Sequence, residues 1–257
     1  MTELPRIARL PSVCPHDCPS ACSLEVEVID GRTIGRVRGN KRQSYTDGVI
    51  CAKVARYAER IHHPDRLLHP LRRTGPKGSG AFERISWDEA LDEIGRRFLA
   101  IEAEHGAEAV WPYYYAGTMG LVMRDGINRL RHAKRYSGQF STICTTTAWT
   151  GFIAGTGKLA GPDPREMAKS DCVVIWGTNP VVCNSDAFLG HWIVEAMKRG
   201  SELVTIDPQL TWIASKSKYW LRLRPGTDAA LALGMMNVII GEDLVDHDFI
   251  DKWTYGY

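Results

Sequence analysis

Leu24, Val26 and Val28 alternate with Glu25 and Glu27, Asp30-Gly31 follows, and the chain returns through Thr33 to Arg38. A period of two, closed by a pair that tolerates left-handed backbone, predicts a β-hairpin. Asp47-Gly48 supplies another turn, after which Ala52 to Arg60 has helix-forming composition. Residues 62 to 84 are rich in Pro, Gly and basic side chains and keep no sustained period, which predicts a linker or boundary. Periodicity returns at Ser86-Trp87-Asp88-Glu89, a capping box, with Leu91, Ile94, Phe98 and Ile101 along one face of the helix it starts. Ala109 to Tyr115 then predicts a strand, and Arg124 to Tyr136 a helix.

In the last hundred residues the pattern changes. Cys172-Val173-Val174-Ile175-Trp176 is a near-continuous apolar run ending at Gly177, as expected of a strand buried in a parallel sheet. Ala187 to Arg199 predicts a helix, Leu203 to Ile206 a second strand ending at Asp207-Pro208, and Tyr219 to Leu223 a third. Strand, helix, strand with short links is the pattern of a doubly wound α/β sheet.

Composition narrows the class. The chain has 257 residues, 44% apolar and 24% charged, which is globular and excludes disordered or collagen-like classes. Lys and Arg exceed Asp and Glu by only 32 − 30 = 2, so charge gives no case for nucleic acid or an anionic membrane as partner. Seven cysteines, an odd number, favour metal binding over a disulfide framework. MTELPRIARLPSV lacks the apolar stretch of a signal peptide and no run of eighteen apolar residues occurs, so a soluble, reducing, cytoplasmic setting without membrane insertion is expected.

Four of the cysteines form one pattern: Cys14, Cys18 and Cys22 in CPHDCPSAC, and Cys51 in DGVICAK. A triplet plus one distant thiol suits a 4Fe–4S cubane, which needs four converging thiolates, better than zinc, whose sites tend to use two close CxxC pairs. The triplet precedes the hairpin, and Cys51 falls at a helix start, where the macrodipole favours a thiolate. His16, inside the triplet, is a loop residue when four thiols are available. Lys53 is either an exposed helix lysine or an ammonium set against whatever exchanges electrons with the cluster.

The α/β unit carries the second candidate site. Ligands of such sheets bind at strand carboxyl ends, where loop amides meet phosphates and an acid can hold a ribose hydroxyl. Gly177-Thr178-Asn179-Pro180 ends one strand, Asp207 ends the next, and Arg224-Pro225-Gly226-Thr227-Asp228 leads into a further helix, where Asp228 either caps or binds. Gly155 to Ala160 imitates a dinucleotide fingerprint without a strand before it, and fails as a Walker loop because Phe152 and Leu159 stand at its required positions. Cys172 falls in an apolar strand as inert core and Cys183 in a loop, whereas Cys144 lies in the hydroxyl-rich SGQFSTICTTTAWTG as a nucleophile or metal ligand, with no neighbouring His to suggest the former.

Taken in order, the cluster cysteines, Cys51-Ala52-Lys53, SWDEAL, Cys144, WGTNP, IDP and RPGTD resemble the molybdopterin oxidoreductase family, which includes dimethyl sulfoxide reductase, formate dehydrogenases and periplasmic nitrate reductases. The resemblance spans essentially the whole chain. It implies a 4Fe–4S cluster on Cys14, Cys18, Cys22 and Cys51, Lys53 as the relay between cluster and pterin, and Cys144 as ligand to molybdenum or tungsten. It also implies molybdopterin guanine dinucleotide held by Gly177, Asn179, Asp207, Gly226, Thr227 and Asp228. The implied fold is α/β: a β-rich iron-sulfur domain over 1–62, the first part of a discontinuous αβα domain over 63–138, and a doubly wound, parallel-sheet dinucleotide-binding domain over 139–257, incomplete at its C-terminus.

The implied activity is oxygen-atom or hydride-equivalent transfer on a small-molecule substrate, with electrons exchanged with an external carrier or electron-transfer subunit. Thr145 stands where formate dehydrogenases follow the metal ligand with histidine, so formate oxidation is not implied. The triplet has three residues between its first two cysteines, where the formate and nitrate branches commonly have two. The family is longer and carries a second dinucleotide site, so the chain is expected to be an N-terminal portion or to need a second chain. Two rivals stay open: a pterin-free iron-sulfur electron-transfer subunit, like the large subunit of respiratory NADH dehydrogenase, and an inactive truncated product.

Overall fold

The computed structural model describes residues 6–16, 18–114, 120–139, 145–182 and 187–257. These form two compact units, one of residues 1–163 and 184–188, the other of 164–183 and 189–257.

The first unit opens with a three-stranded antiparallel sheet, β1 (Ile7–Val13), β2 (Ser23–Ile29) and β3 (Thr33–Gly39) in that order. The expected hairpin is β2–β3: Asp30 and Gly31 take φ of 52° and 71° at its turn, left-handed backbone that glycine adopts without strain. Strand β1, which the sequence pattern did not predict, pairs with all of β2 from Ile7↔Ile29 to Val13↔Ser23. It has no alternation to read because every one of its residues is exposed. The expected helix after Cys51 is broken at Arg56 (φ −101°, ψ 15°) into α1 (Ala52–Ala55) and α2 (Tyr57–Ile61).

The region expected to be an irregular linker contains a short hairpin, β4 (Leu71–Arg73) with β5 (Phe82–Arg84). Strands of three residues have too few alternations to show a period. Arg72 donates to Glu93 (2.9 Å) and Glu83 (3.4 Å), tying the hairpin to α3 (Trp87–His105). That helix begins as the sequence predicts: Ser86 Oγ accepts from the Glu89 N–H (3.1 Å), while Glu89 accepts from the Ser86 N–H (2.8 Å). The reciprocal bonds hold the Glu89 carboxyl below its usual range, through the Ser86 N–H foremost. The expected strand from Ala109 is not formed over its described part: Ala107–Ala109 is a 3-10 turn, and Val110 bonds Ser137 through one backbone carbonyl instead of a ladder. Helices α4 (Leu121–Lys134) and α5 (Thr145–Thr156) follow, and α5 contains Gly155, which ends the case for a phosphate loop there.

In the second unit β6 (Cys172–Trp176), β7 (Glu202–Ile206) and β8 (Tyr219–Leu221) form a parallel sheet in that order. Helix α6 (Ala187–Arg199) is the crossover between β6 and β7, the strand–helix–strand arrangement the sequence predicts. Val173, Ile175 and Leu203 pack with Ile193, Ala196 and Ile213 into one core. Strand β6 is buried on one face only: Val173 and Ile175 point inward, while Val174 is 49% exposed and Cys172 is exposed as well, correcting its assignment to the core. An apolar run does not reveal which of its faces a chain covers. Helices α7 (Asp228–Gly241) and α8 (His247–Trp253) complete the unit.

Replacing Ser86 with Ala removes one side of the capping box and is expected to lower stability by about 1 kcal/mol. Urea titration of wild type, Ser86→Ala and Ser86→Asp checks this: the Asp variant should keep most of the loss from appearing, and equal midpoints for all three would contradict it.

Candidate functional site

Cys14 follows β1 directly and Cys22 precedes β2, so the β1–β2 ladder places the first and third cysteines opposite each other. The Cys14 N–H donates to the Cys22 carbonyl (2.9 Å), closing the base of the loop. Cys18 lies between them, its thiol 3.2 Å from Ser20 Oγ and its carbonyl accepting from the Ala21 N–H (3.2 Å). Cys51 returns to this group because the chain doubles back at the end of β3. A Cβ on Gly39 would sit 2.0 Å from the Gly48 carbonyl oxygen, so backbone meets backbone where only glycine fits. Between them Thr46, fully buried, is satisfied by Gln43 Oε1 through both its N–H and its hydroxyl (2.8 Å each).

Cys14, Cys22 and Cys51 share one small core with Leu24, Val37 and Val54, and Cys18 lies near enough to act electrostatically on Cys14 and Cys22. Burial foremost, and then the neighbouring thiols, push Cys22 up to about 11. Cys14 is also raised, by burial first, against a lowering N–H of His16 and the Lys53 ammonium. Thiols that resist ionisation, as Cys14 and Cys22 do, suit a ligand that replaces their protons with positive charge, as iron does. Among the described residues no three His, Cys, Asp or Glu side chains are grouped to hold a single metal ion. Cubane ligands stand apart, one to each iron corner, whereas zinc draws four sulfurs to about 2.3 Å from one centre. Cys51 is the N-cap of α1, as expected, although a helix of four residues contributes little dipole.

Beside the thiols lies a cavity of about 590 Å³ lined by His16, Lys53, Arg56, Tyr57, Arg60 and His63 among others. The Tyr57 hydroxyl is hydrogen-bonded to His16 Nε2, so His16 is anchored and not a free loop residue. Arg56 is neutralised by Glu59 (2.6 Å), and Arg60 lies over the Tyr57 ring (5.9 Å). Lys53 is exposed and has no ion pair among the described residues.

The second cluster of predicted residues lies at the carboxyl end of the parallel sheet. Trp176 and Ile206 are register partners and the Gly177 N–H donates to the Ile206 carbonyl (2.9 Å), so Gly177 and Asp207 leave the sheet side by side. Gly177 and Gly226 have φ of 62° and 86°, and a Cβ on either would meet nothing within 4 Å. Asn179 Oδ1 is buried without a hydrogen-bond partner, an unmet demand for a donor. Asp207 Oδ1 accepts from the Gln209 N–H (2.7 Å), and its carbonyl from Trp220 Nε1 (2.8 Å). Thr227 is the N-cap of α7 but bonds the Arg224 carbonyl (2.7 Å) instead of capping. Asp228 is turned toward β6, where its Oδ1 accepts from Trp176 Nε1 (2.7 Å). Cys144 and Cys183 lie outside the described residues.

Comparison with known proteins decides what these groupings belong to. The molybdopterin oxidoreductase profile matches residues 66–250, and the molybdopterin oxidoreductase Fe4S4 domain profile matches residues 7–63. The chain belongs to the molybdopterin oxidoreductase family. It is 37% identical over 250 residues to the probable oxidoreductase YoaE of Bacillus subtilis, covering 96% of this chain and 36% of that protein. Dimethyl sulfoxide reductase DmsA of Escherichia coli is 32% identical over 262 residues, 96% of this chain and 32% of that protein. The structure of acetylene hydratase from Pelobacter acetylenicus superposes with a TM-score of 0.68 at 30% identity, over 95% of this chain and 33% of that one. The chain thus spans about a third of the length of these relatives.

The Fe4S4 profile covers the segment that contains Cys14, Cys18, Cys22 and Cys51, and the molybdopterin oxidoreductase profile covers Gly177, Asn179, Asp207 and Gly226 to Asp228. Two residues at these sites were not singled out from sequence, Tyr57 and Trp176. Tyr57 lies two turns of backbone past Cys51 without a motif to flag it. Trp176 is adjacent to Gly177, and a donor-bearing aromatic at a strand's carboxyl end was the available signal.

Anaerobic reconstitution with iron and sulfide should yield about four of each per chain and a broad visible absorption. Cys22→Ser should lose it, and Gly39→Ala should lower it by displacing Cys51. Full incorporation into the Gly39→Ala chain would contradict the close-approach argument.

Proposed function

We propose that the chain is the electron-entry and first dinucleotide-binding part of a molybdenum- or tungsten-dependent oxidoreductase acting by oxygen-atom or hydride-equivalent transfer on a small substrate. The observation that carries this reading is that Cys14, Cys18 and Cys51 all lie near enough to act on Cys22, beside a cavity lined by the Lys53 ammonium. When bound, the metal–pterin group supplies the redox chemistry that no side chain of the chain provides.

The residues prepare for that chemistry in three ways. The four cysteines would hold the cluster as thiolates, Cys22 from within the core of Leu24, Val37 and Val54 and the other three from half-buried positions. Lys53, which lines the neighbouring cavity, would bring positive charge there and lower the electrostatic cost of moving an electron past Cys51. At the sheet end, Gly177 and Gly226 leave room for a phosphate-bearing ligand, while Asn179, Thr227, Asp207 and Asp228 offer polar groups to its guanosine and ribose. Cys144 is the proposed metal ligand.

An external carrier or electron-transfer subunit would exchange electrons with the cluster. A cluster held on reduced thiols fits a reducing, cytoplasmic setting, and among the described residues no helix is long and apolar enough to cross a membrane. A pterin-free electron-transfer subunit has no use for the unsatisfied Asn179 acceptor, which favours the pterin reading over it.

In the assembled enzyme, Cys144→Ala should reduce turnover by more than about 100-fold, since even outer-shell partners of a metal are worth 10–100-fold. Iron content should be unchanged. Lys53→Met should leave the iron in place and slow re-oxidation of the reduced cluster in stopped-flow traces. Turnover unaffected by Cys144→Ala, in a protein with iron but no molybdenum, tungsten or guanosine nucleotide, would favour the pterin-free reading.

A further inference from the structure

Asp228 is the first residue of α7, where a carboxylate ordinarily serves its own helix. Its side chain does something else: across 52 residues of sequence, Oδ1 takes a hydrogen bond from the indole of Trp176 at 2.7 Å. The tryptophan is the last residue of β6, and its backbone is fixed there by pairing with Ile206. The indole Nε1–H is a donor with no acceptor capacity, so it can hold a carboxylate but cannot compete for the donors that the carboxylate would itself receive. An ionised carboxylate offers about four lone-pair sites, and the indole takes one.

We infer that Trp176 is a positioning residue for nucleotide recognition: its N–H fixes the Asp228 carboxylate at the carboxyl end of the sheet, so that the other oxygen faces an entering purine as an acceptor. This rests on the dinucleotide reading of the same site. A carboxylate held in that place favours a base edge with two adjacent N–H donors, as guanine presents through N1–H and N2–H₂, over adenine, which sets the single donor N6–H₂ beside the acceptor N1 that the carboxylate opposes. The unsatisfied Asn179 Oδ1 in the loop after β6 is a second acceptor in the same unit, so both polar groups ask for donors. Preorganisation is the gain, because a free aspartate at an exposed helix start would have to be ordered by the ligand itself.

The test is calorimetric titration of the purified chain with guanosine diphosphate and, separately, adenosine diphosphate. Trp176→Phe keeps the ring and removes the donor; it should weaken guanosine diphosphate binding about tenfold and leave adenosine diphosphate unchanged. In an Asp228→Ala background the same substitution should have no further effect, a coupling that a purely structural tryptophan would not show. Should Trp176→Phe lower the melting temperature too far for titration, the wild-type indole N–H resonance displaced by Asp228→Ala should also move when guanosine diphosphate is added. Equal guanosine diphosphate affinity in wild type and Trp176→Phe, with Asp228→Ala weakened, would overturn the positioning role and leave the nucleotide site standing. Absence of binding by either nucleotide to the wild-type chain would overturn both.

Discussion

Four neighbouring thiols, Cys22 buried and Cys14, Cys18 and Cys51 half-buried, are the constraint on which the N-terminal structure depends. A thiol in apolar surroundings resists ionisation, and each thiolate formed makes the next harder to form. The core around them contains few large side chains: Leu24, Val37 and Val54, with Cys22 itself the remaining buried member. A segment of this size has too little apolar surface to be secure on burial alone, and small domains recover the deficit with a metal. A 4Fe–4S cluster there would staple the domain, so ligand geometry and domain stability are the same question.

Bringing the fourth thiol home requires the chain to pass closely over itself. Gly39 against Gly48 allows it, the buried Thr46 bonded to Gln43 stiffens the intervening loop, and the helix that starts at Cys51 carries Lys53 to the neighbouring cavity. The same economy operates at the parallel sheet, where strand register places Gly177 beside Asp207 and an indole tethers Asp228. In both units, irregular backbone at the end of regular structure holds the polar chemistry, while the regular elements fix where those ends fall.

Much of this was legible beforehand, for reasons specific to each element. The β2–β3 hairpin and the Ser86 capping box declare themselves through local chemistry, and β6, α6 and β7 through the change of period. The cysteine spacing and the loops at Gly177 and Asp207 were visible as motifs. Strand β1 was not, because it is exposed throughout, and neither was β4–β5, which is too short for a period. The break at Arg56 and the exposure of Cys172 depend on what packs where, which composition does not encode. Tyr57 on His16 and Trp176 on Asp228 are contacts 41 and 52 residues apart, beyond any local pattern.

The claim that the cluster organises the first sixty residues is tested most directly by hydrogen exchange on the anaerobic chain, with and without iron and sulfide. Loading should slow exchange at the amides of β2, β3 and α1 while leaving β6 and β7 unchanged, since Cys14, Cys22 and Cys51 pack in the first core and no cysteine packs in the second. Equal protection of Leu24, Val37 and Val54 in the two states would show that the core stands without the cluster, and would contradict the account.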